Sequence, residues 1–325
     1  MILITGANGF LGQHLLRQLA VDNAPIKAMY NSHLPESDLL SLPNVTWIQC
    51  DLLDVFAVAE AVEGISEIYH CAGKVSFEAE DHNSIQAINA TSTANIVNAA
   101  LDAGIRKLVH VSSIASLGRS DTDKPLTEEH YWEESKNNTA YARSKYLAEM
   151  EVWRGIAEGL NAVIVNPSII LGAGDWQKGS ARLMPFADKE FPFYTEGINA
   201  WVDVQDVARI MILLMRSTIS GERFIVSEGD HSYREIFSLM AQALGKKPPY
   251  IKAPHWATGL LWRWNWLRKK ISGRAATLTK ETTRTASLQC WHDNSKFLKV
   301  FPKFRYIPIE DTIREMAKAY KKQQL

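Results

Sequence analysis

Cysteine is scarce. Cys50, Cys71 and Cys290 are the three in 325 residues, with no CxxC pair and no Cys/His ligand spacing. That argues against a disulfide framework or a structural zinc site, and no metal site is expected. Net charge is lacking too: Lys and Arg number 36, Asp and Glu 36. No global basic field exists to hold a polyanion, and no nucleic-acid partner is expected. No apolar run approaches the ~18 uninterrupted residues of a membrane helix. The opening MILITG has no basic leader or cleavage site, so a cytoplasmic protein is expected. Core material, by contrast, is plentiful at 46% hydrophobic residues. That suffices for one large domain, or two of roughly 100–200 residues each, and excludes a disordered or collagen-like chain.

The first thirty residues carry the strongest local signal. Ile2 to Thr5 is an apolar run too short for a helix and fits a buried parallel strand. It ends in TGANGFLG, with glycines at 6, 9 and 12, and Leu11, Leu15, Leu16 and Leu19 follow at helical spacing. Strand, glycine turn and helix in that order predict a phosphate site, with a purely structural glycine turn as the alternative. Gly6 permits the tight turn, Gly9 lets backbone approach a pyrophosphate, and Gly12 lets the helix pack close to the strand. The helix N-terminus adds unpaired N–H groups and partial positive charge. A second strand, Ile26 to Tyr30, runs into Asn31, Ser32 and His33, where an NAD-binding unit usually offers a carboxylate to the ribose hydroxyls. Without one, a 2′-phosphate meets no repulsion, so NADP is expected, with NAD the alternative.

Further strands are predicted at Val45 to Cys50, Ile65 to His70, Lys107 to Ser112 and Ala162 to Asn166. Helical stretches such as Val55 to Val62 and Ile85 to Ala103 lie between them. The alternation predicts an α/β fold on a doubly wound parallel sheet of Rossmann type, with a smaller C-terminal substrate domain. Asp51 and Leu52 fall at a strand's carboxyl end, where ligands bind in such sheets. Asp51 can accept from an adenine amino group, or cap the helix that starts near Asp54.

The strand ending at Val111 delivers Ser112 and Ser113 to the same edge. Some thirty residues on, YARSK sets Tyr141 and Lys145 at i and i+4 on one helix face. A phenol with a pKa near ~10 is a poor acid–base group at neutral pH until its anion is stabilised. A neighbouring ammonium does this, each unit of depression corresponding to about 1.4 kcal/mol. Ser113 would steady a substrate oxygen, and Lys145 would also reach a nicotinamide ribose. His14, His70 and His110 read as packing or surface residues. Cys71 reads as a small buried residue with no base to activate it.

TGANGFLG, the paired serines and YARSK together resemble the short-chain dehydrogenase/reductase superfamily, in its extended, NAD(P)-dependent epimerase/dehydratase-like branch, over nearly the whole chain. The resemblance implies a TGxxGxxG cofactor turn over Thr5 to Gly12, with Asn8, Phe10 and Leu11 in it, and adenine held by Asp51 and Leu52. It implies a ribose lined by Cys71, Ala72 and Gly73, a cofactor-side asparagine at Asn89, and a catalytic triad of Ser113, Tyr141 and Lys145. NPSIILGAGD is similar to the family's RPxxxYGPGD, whose backbone past the proline, here Pro167 to Ile170, meets the nicotinamide. Asn166 stands for the usual arginine and Leu171 for the aromatic. WVDVQDVA is similar to FVDVxDVA, and Asp206 reads as the cap of the following helix. A homodimer through the helices carrying Asn89 and Tyr141 is also implied.

Within that branch, the series YREIFSLMAQALGKKPP, LTKETTR, WHDNSK and FRYIPIEDTIREM is most similar to dihydroflavonol reductase and 3β-hydroxysteroid dehydrogenase-like reductases. A small, largely apolar carbonyl or alcohol substrate is then expected. The aromatic residues agree: of ten tryptophans only Trp47, Trp132 and Trp153 precede residue 166, and Trp176, Phe186, Phe191, Phe193 and Tyr194 cluster beyond it. Pro254 to Arg274, rich in tryptophan and basic residues, reads as a lid or dimer contact, ahead of inert packing and then of a membrane-surface helix. The expected division is a cofactor domain of residues 1–166 and 201–228, the second piece returning to complete the sheet, and a substrate domain of 167–200 and 229–325. Two other readings stay open. One is a nucleotide-sugar epimerase or dehydratase, with Lys178, Arg182 and Lys189 for a second pyrophosphate. The other is a non-catalytic dinucleotide sensor.

Overall fold

The computed structural model describes residues 1–76, 79–118, 124–135, 138–253 and 285–324. The tryptophan-rich stretch 254–274 and the LTKETTR segment lie outside the described residues. Six strands come early: β1 (Ile2–Thr5), β2 (Ile26–Tyr30), β3 (Val45–Gln49), β4 (Glu67–His70), β5 (Lys107–Val111) and β6 (Ala162–Pro167). Between and after them run α1 (Phe10–Ala20), α2 (Ser37–Leu40), α3 (Val55–Val62), α4 (His82–Asp102) and α5 (Ala140–Ala157). The chain continues through β7 (Ile169–Leu171), α6 (Leu183–Asp188), β8 (Phe193–Tyr194), β9 (Ile198–Asp203), α7 (Val204–Arg216), β10 (Glu222–Val226), β11 (Gly229–Ser232), α8 (Tyr233–Leu244) and β12 (Ile251–Lys252). Helices α9 (Ser295–Val300) and α10 (Ile309–Gln324) close it.

Seven parallel strands form the main sheet in the order β10-β6-β5-β4-β1-β2-β3. Its central strands are apolar throughout because both faces are covered. In β6, Val163 and Val165 face the layer holding Leu15, Leu16, Val207 and Ile210 from α1 and α7. Ala162 and Ile164 face the opposite layer, with Val58, Ile96, Val97 and Val152 from α3, α4 and α5. Among the described residues, no helix is long and apolar enough to cross a membrane.

Two expectations need correction. Of the returning segment, α7 and β10 complete the main sheet, but β9 does not. It pairs with β7 and β11 in a separate three-stranded sheet, over which Trp201, Ile236, Met240, Ile309 and Ile313 make a third core. Nor does Asp206 cap α7. Asp203 does, accepting from Gln205 N at 2.6 Å, while Asp206 is wholly buried in the first turn. There it accepts from Ile307 N at 2.7 Å and from Arg209. With Thr312 Oγ1 donating to Asp203 at 2.7 Å, the two acids pin the start of α10 to α7. Both acids precede the same apolar run, and only the arrival of the C-terminal chain separates their roles.

The end of α7 is held from below by Lys107. Its ammonium is buried and donates to the carbonyls of Leu214 (2.7 Å), Ser217 (2.9 Å) and Ile219 (2.6 Å), where the helix dipole favours positive charge. Lys107→Met keeps the apolar stem and leaves these acceptors without their donor. Urea unfolding should show a loss of at least about 1–3 kcal/mol, the cost of a buried unsatisfied polar group; unchanged stability would contradict this account.

Candidate active site

The glycine turn sits at the carboxyl edge of β1. Gly6 has φ +63°, and a Cβ on it would lie 2.8 Å from Ala72 Cα, so the turn passes directly over the 71–73 loop. A Cβ on Gly12 would fall 2.1 Å from the Gly6 carbonyl oxygen. Gly12 therefore serves close approach of helix to turn. Gly9 is exposed, and α1 starts on it with no side-chain cap. Helices α3, α5, α7 and α8 are capped by Asp54, Thr139, Asp203 and Ser232, whereas α2, α4, α6 and α9, like α1, have no side-chain cap. An exposed glycine at an uncapped helix start suits a pyrophosphate in chemistry and in room. Asn8 ties the turn to the loop after β2, donating to His33 O at 2.7 Å. Leu11 is buried in the core, and the Phe10 ring packs where a Cβ on Gly174 would stand, 2.8 Å away.

The neighbouring strand ends carry the other predicted cofactor residues. Asn31 is exposed, and its carbonyl accepts from Gln49 Nε2 at 2.9 Å. Asp51 does not cap α3, which Asp54 does; Asp51 accepts from Leu53 N at 3.0 Å. Leu52 O is held by Asn95 at 2.8 Å. Pro167 ends β6, and Ile170 lies in β7, its carbonyl accepting from Ser180.

Ser113, Tyr141 and Lys145 are brought together by β5 and α5. The side chains of Tyr141 and Ser113 share a hydrogen bond, and the phenol is raised by burial against the lowering effect of that bond. Lys145 is buried, donates to Val111 O at 3.0 Å, and sits 3.1 Å from where a Cβ on Gly73 would be. Burial takes its ammonium down to about 8, opposed in part by the negative charge of Glu149. Burial also pushes the Cys71 thiol up to about 12, so it is no nucleophile at neutral pH.

Asn89 is a clamp. It accepts from Lys74 N (2.7 Å) and donates to Lys74 O (3.0 Å) and Ser144 Oγ (2.9 Å), and Ser144 in turn donates to Tyr141 O at 2.8 Å. A buried chain links this clamp to the glycine turn. Ala72 N donates to Thr5 Oγ1 (3.2 Å), Thr5 meets His70 Nδ1 (2.7 Å), His70 Nε2 meets Thr93 Oγ1 (3.1 Å), and Thr93 donates to Asn89 O (2.8 Å). His70 thus does more than pack. His110 lies beside it, ring centroids 5.1 Å apart. Sequence reasoning misses Ser116, Glu149 and Arg223, which gather behind Ser113; the spacing YxxxKxxxE, which puts Glu149 one turn past Lys145, was the available signal.

The family described as NAD dependent epimerase/dehydratase family matches residues 2–227. A Synechocystis sp. protein named for dihydroflavonol 4-reductase is 27% identical over 303 residues, covering 90% of this chain and 87% of its own. Sterol demethylase protein B of Methylococcus capsulatus is 29% identical over 259 residues, 78% of this chain and 77% of that one. The crystal structure of gox2253 superposes with a TM-score of 0.82 at 26% identity, spanning 99% of this chain and 98% of the other.

Burial holds His70 down to about 3 and His110 well below the usual 6.5. Both rings stay neutral in the folded chain at pH values where the unfolded chain takes up protons, so unfolding binds protons. Stability should fall as pH drops below about 6.5, by up to about 1.4 kcal/mol per pH unit for each ring, until His70 titrates near 3. Neither His110 nitrogen has a partner among the described residues. Urea midpoints for His110→Leu should therefore decline less steeply between neutral and acid pH; an unchanged slope would contradict the assignment.

Proposed function

The chain belongs to the NAD dependent epimerase/dehydratase family, and from that premise we propose that it reduces a ketone or aldehyde, or oxidises the matching secondary alcohol, through Ser113, Tyr141 and Lys145. The observation that carries the proposal is the Ser113–Tyr141 hydrogen bond one helical turn from the buried Lys145 ammonium, at the edge where the glycine turn opens. A bound nicotinamide dinucleotide supplies or accepts the hydride. In the reductive direction Tyr141 gives its proton to the carbonyl oxygen as that oxygen gains charge. Lys145 stabilises the phenolate left behind, and Ser113 donates to the same oxygen, moving through the contact it already makes with Tyr141.

On this reading Gly6, Asn8, Gly9, Phe10, Leu11 and Gly12 hold the pyrophosphate, Asp51 and Leu52 the adenine, and Cys71, Ala72 and Gly73 a ribose. Asn89 fixes the loop beneath, and Pro167 and Ile170 flank the nicotinamide. NADP is favoured over NAD because Asn31 puts no charge at the tip of β2. The next two carboxylates along, Glu36 and Asp38, both pair with Arg17, at 4.0 and 2.8 Å. An apolar, ring-bearing substrate is favoured by relatives named for dihydroflavonol and sterol chemistry. Against a nucleotide sugar, Lys178 is engaged with Asp175 at 3.2 Å. A cytoplasmic homodimer through α4 and α5 completes the proposal.

Tyr141→Phe should retain NADPH binding, followed by fluorescence, and lose about 10²–10⁴-fold in kcat on a panel of aromatic, steroid-like and acyl ketones. Undiminished turnover would reject the assignment. Conversion of a nucleotide sugar without net consumption of NADPH would point to an epimerase or dehydratase instead.

A further inference from the structure

Glu149 lies four residues past Lys145 and eight past Tyr141, so the three side chains occupy one stripe of α5 about 12 Å long. It is wholly buried, and both carboxyl oxygens are used. Oε2 lies 2.6 Å from Ser112 Oγ, 2.6 Å from Ser116 Oγ and 2.8 Å from Asn166 Nδ2. Oε1 accepts from Trp153 Nε1 at 3.2 Å and pairs with Arg223 at 2.8 Å. Arg223 is itself tied to Glu128 O (2.8 Å) and His130 O (2.6 Å).

A buried ion pair of this kind is a poor way to add stability, because well-packed apolar side chains of like volume do as well or better. What the three partners of Oε2 have in common is Ser113. Ser112 precedes it in the chain. Ser116 Oγ lies 2.8 Å, and Asn166 Nδ2 3.2 Å, from the Ser113 carbonyl oxygen. The loop bearing Ser113 is thus fastened through Glu149 to the helix bearing Tyr141.

We propose that Glu149 is a positioning residue that holds the Ser113 loop against α5, keeping the Ser113 and Tyr141 hydroxyls in contact. The assignment rests on the triad reading of this site. It requires Glu149 to act through Ser113 and not through cofactor binding.

Glu149→Gln should lower kcat by roughly 10²-fold, the scale of a 1 Å misplacement, with the NADPH Kd almost unchanged. In a crystal structure of the variant the two hydroxyls should stand beyond hydrogen-bond distance. Measured well below pH 8, where Lys145 keeps its proton without help from the Glu149 charge, adding Glu149→Gln to Ser113→Ala should cost little more than Ser113→Ala alone, because both then act on one contact. Since a lone buried Arg223 could prevent folding, the same measurements are made on Glu149→Gln with Arg223→Met, which removes the uncompensated cation. Wild-type kcat in a folded variant, or losses that multiply between Ser113→Ala and Glu149→Gln, would overturn the positioning role while leaving the triad in place. Full activity of Tyr141→Phe would instead remove the triad and the proposal with it.

Discussion

An ammonium held almost out of water sets the terms for this site. Lys145 donates to the Val111 carbonyl under the Gly73 backbone, where weak screening strengthens its pull on a neighbouring phenolate. The same burial favours the uncharged amine and takes Lys145 down to about 8, and it favours the un-ionised phenol of Tyr141. The charge of Glu149 on Lys145 and the Ser113 hydroxyl on Tyr141 work against it, so the polar surroundings of the pair matter as much as the pair itself.

Apolar layers determine where the sheet and its helices lie, and buried polar groups determine how the loops above it are held. Lys107 gathers the end of α7, Asp203 and Asp206 the start of α10, Asn89 the loop at residue 74, and Glu149 with Arg223 the loop of Ser113. Hydrogen bonds have direction and tolerate little displacement, so each of these groups specifies one arrangement where hydrophobic contact would accept several. That matters at a sheet edge, where loops without regular pairing carry side chains such as Ser113 that must meet others at a set distance.

Much of this was legible in the chain. β1, β2 and α3 fall at the predicted residues, because strands covered on both faces read as short apolar runs, though the cap of α3 is Asp54 and not Asp51. The glycine turn was legible for a different reason: Gly6 and Gly12 stand where a Cβ would collide with backbone, and only glycine satisfies that. Less legible were the residues whose role depends on what arrives from elsewhere. Asp206 and Asp203 look equivalent until residue 307 and Thr312 reach them. His70 and His110 look like ordinary strand residues, yet His70 joins a buried chain to Thr5 and Thr93.

Read by itself, the chain determined the alternation of strands and helices, the phosphate-type turn and the i, i+4 placement of Tyr141 and Lys145, since each depends on residues within a turn or two of one another. Only the tertiary structure decided which acid caps α7, which sheet takes β9, and what surrounds Glu149. Apart from Trp153 in the next turn, the partners of that carboxyl lie 17, 33, 37 and 74 residues away. Burial and hydrogen-bond partnership at such separations follow from packing, which no local pattern encodes.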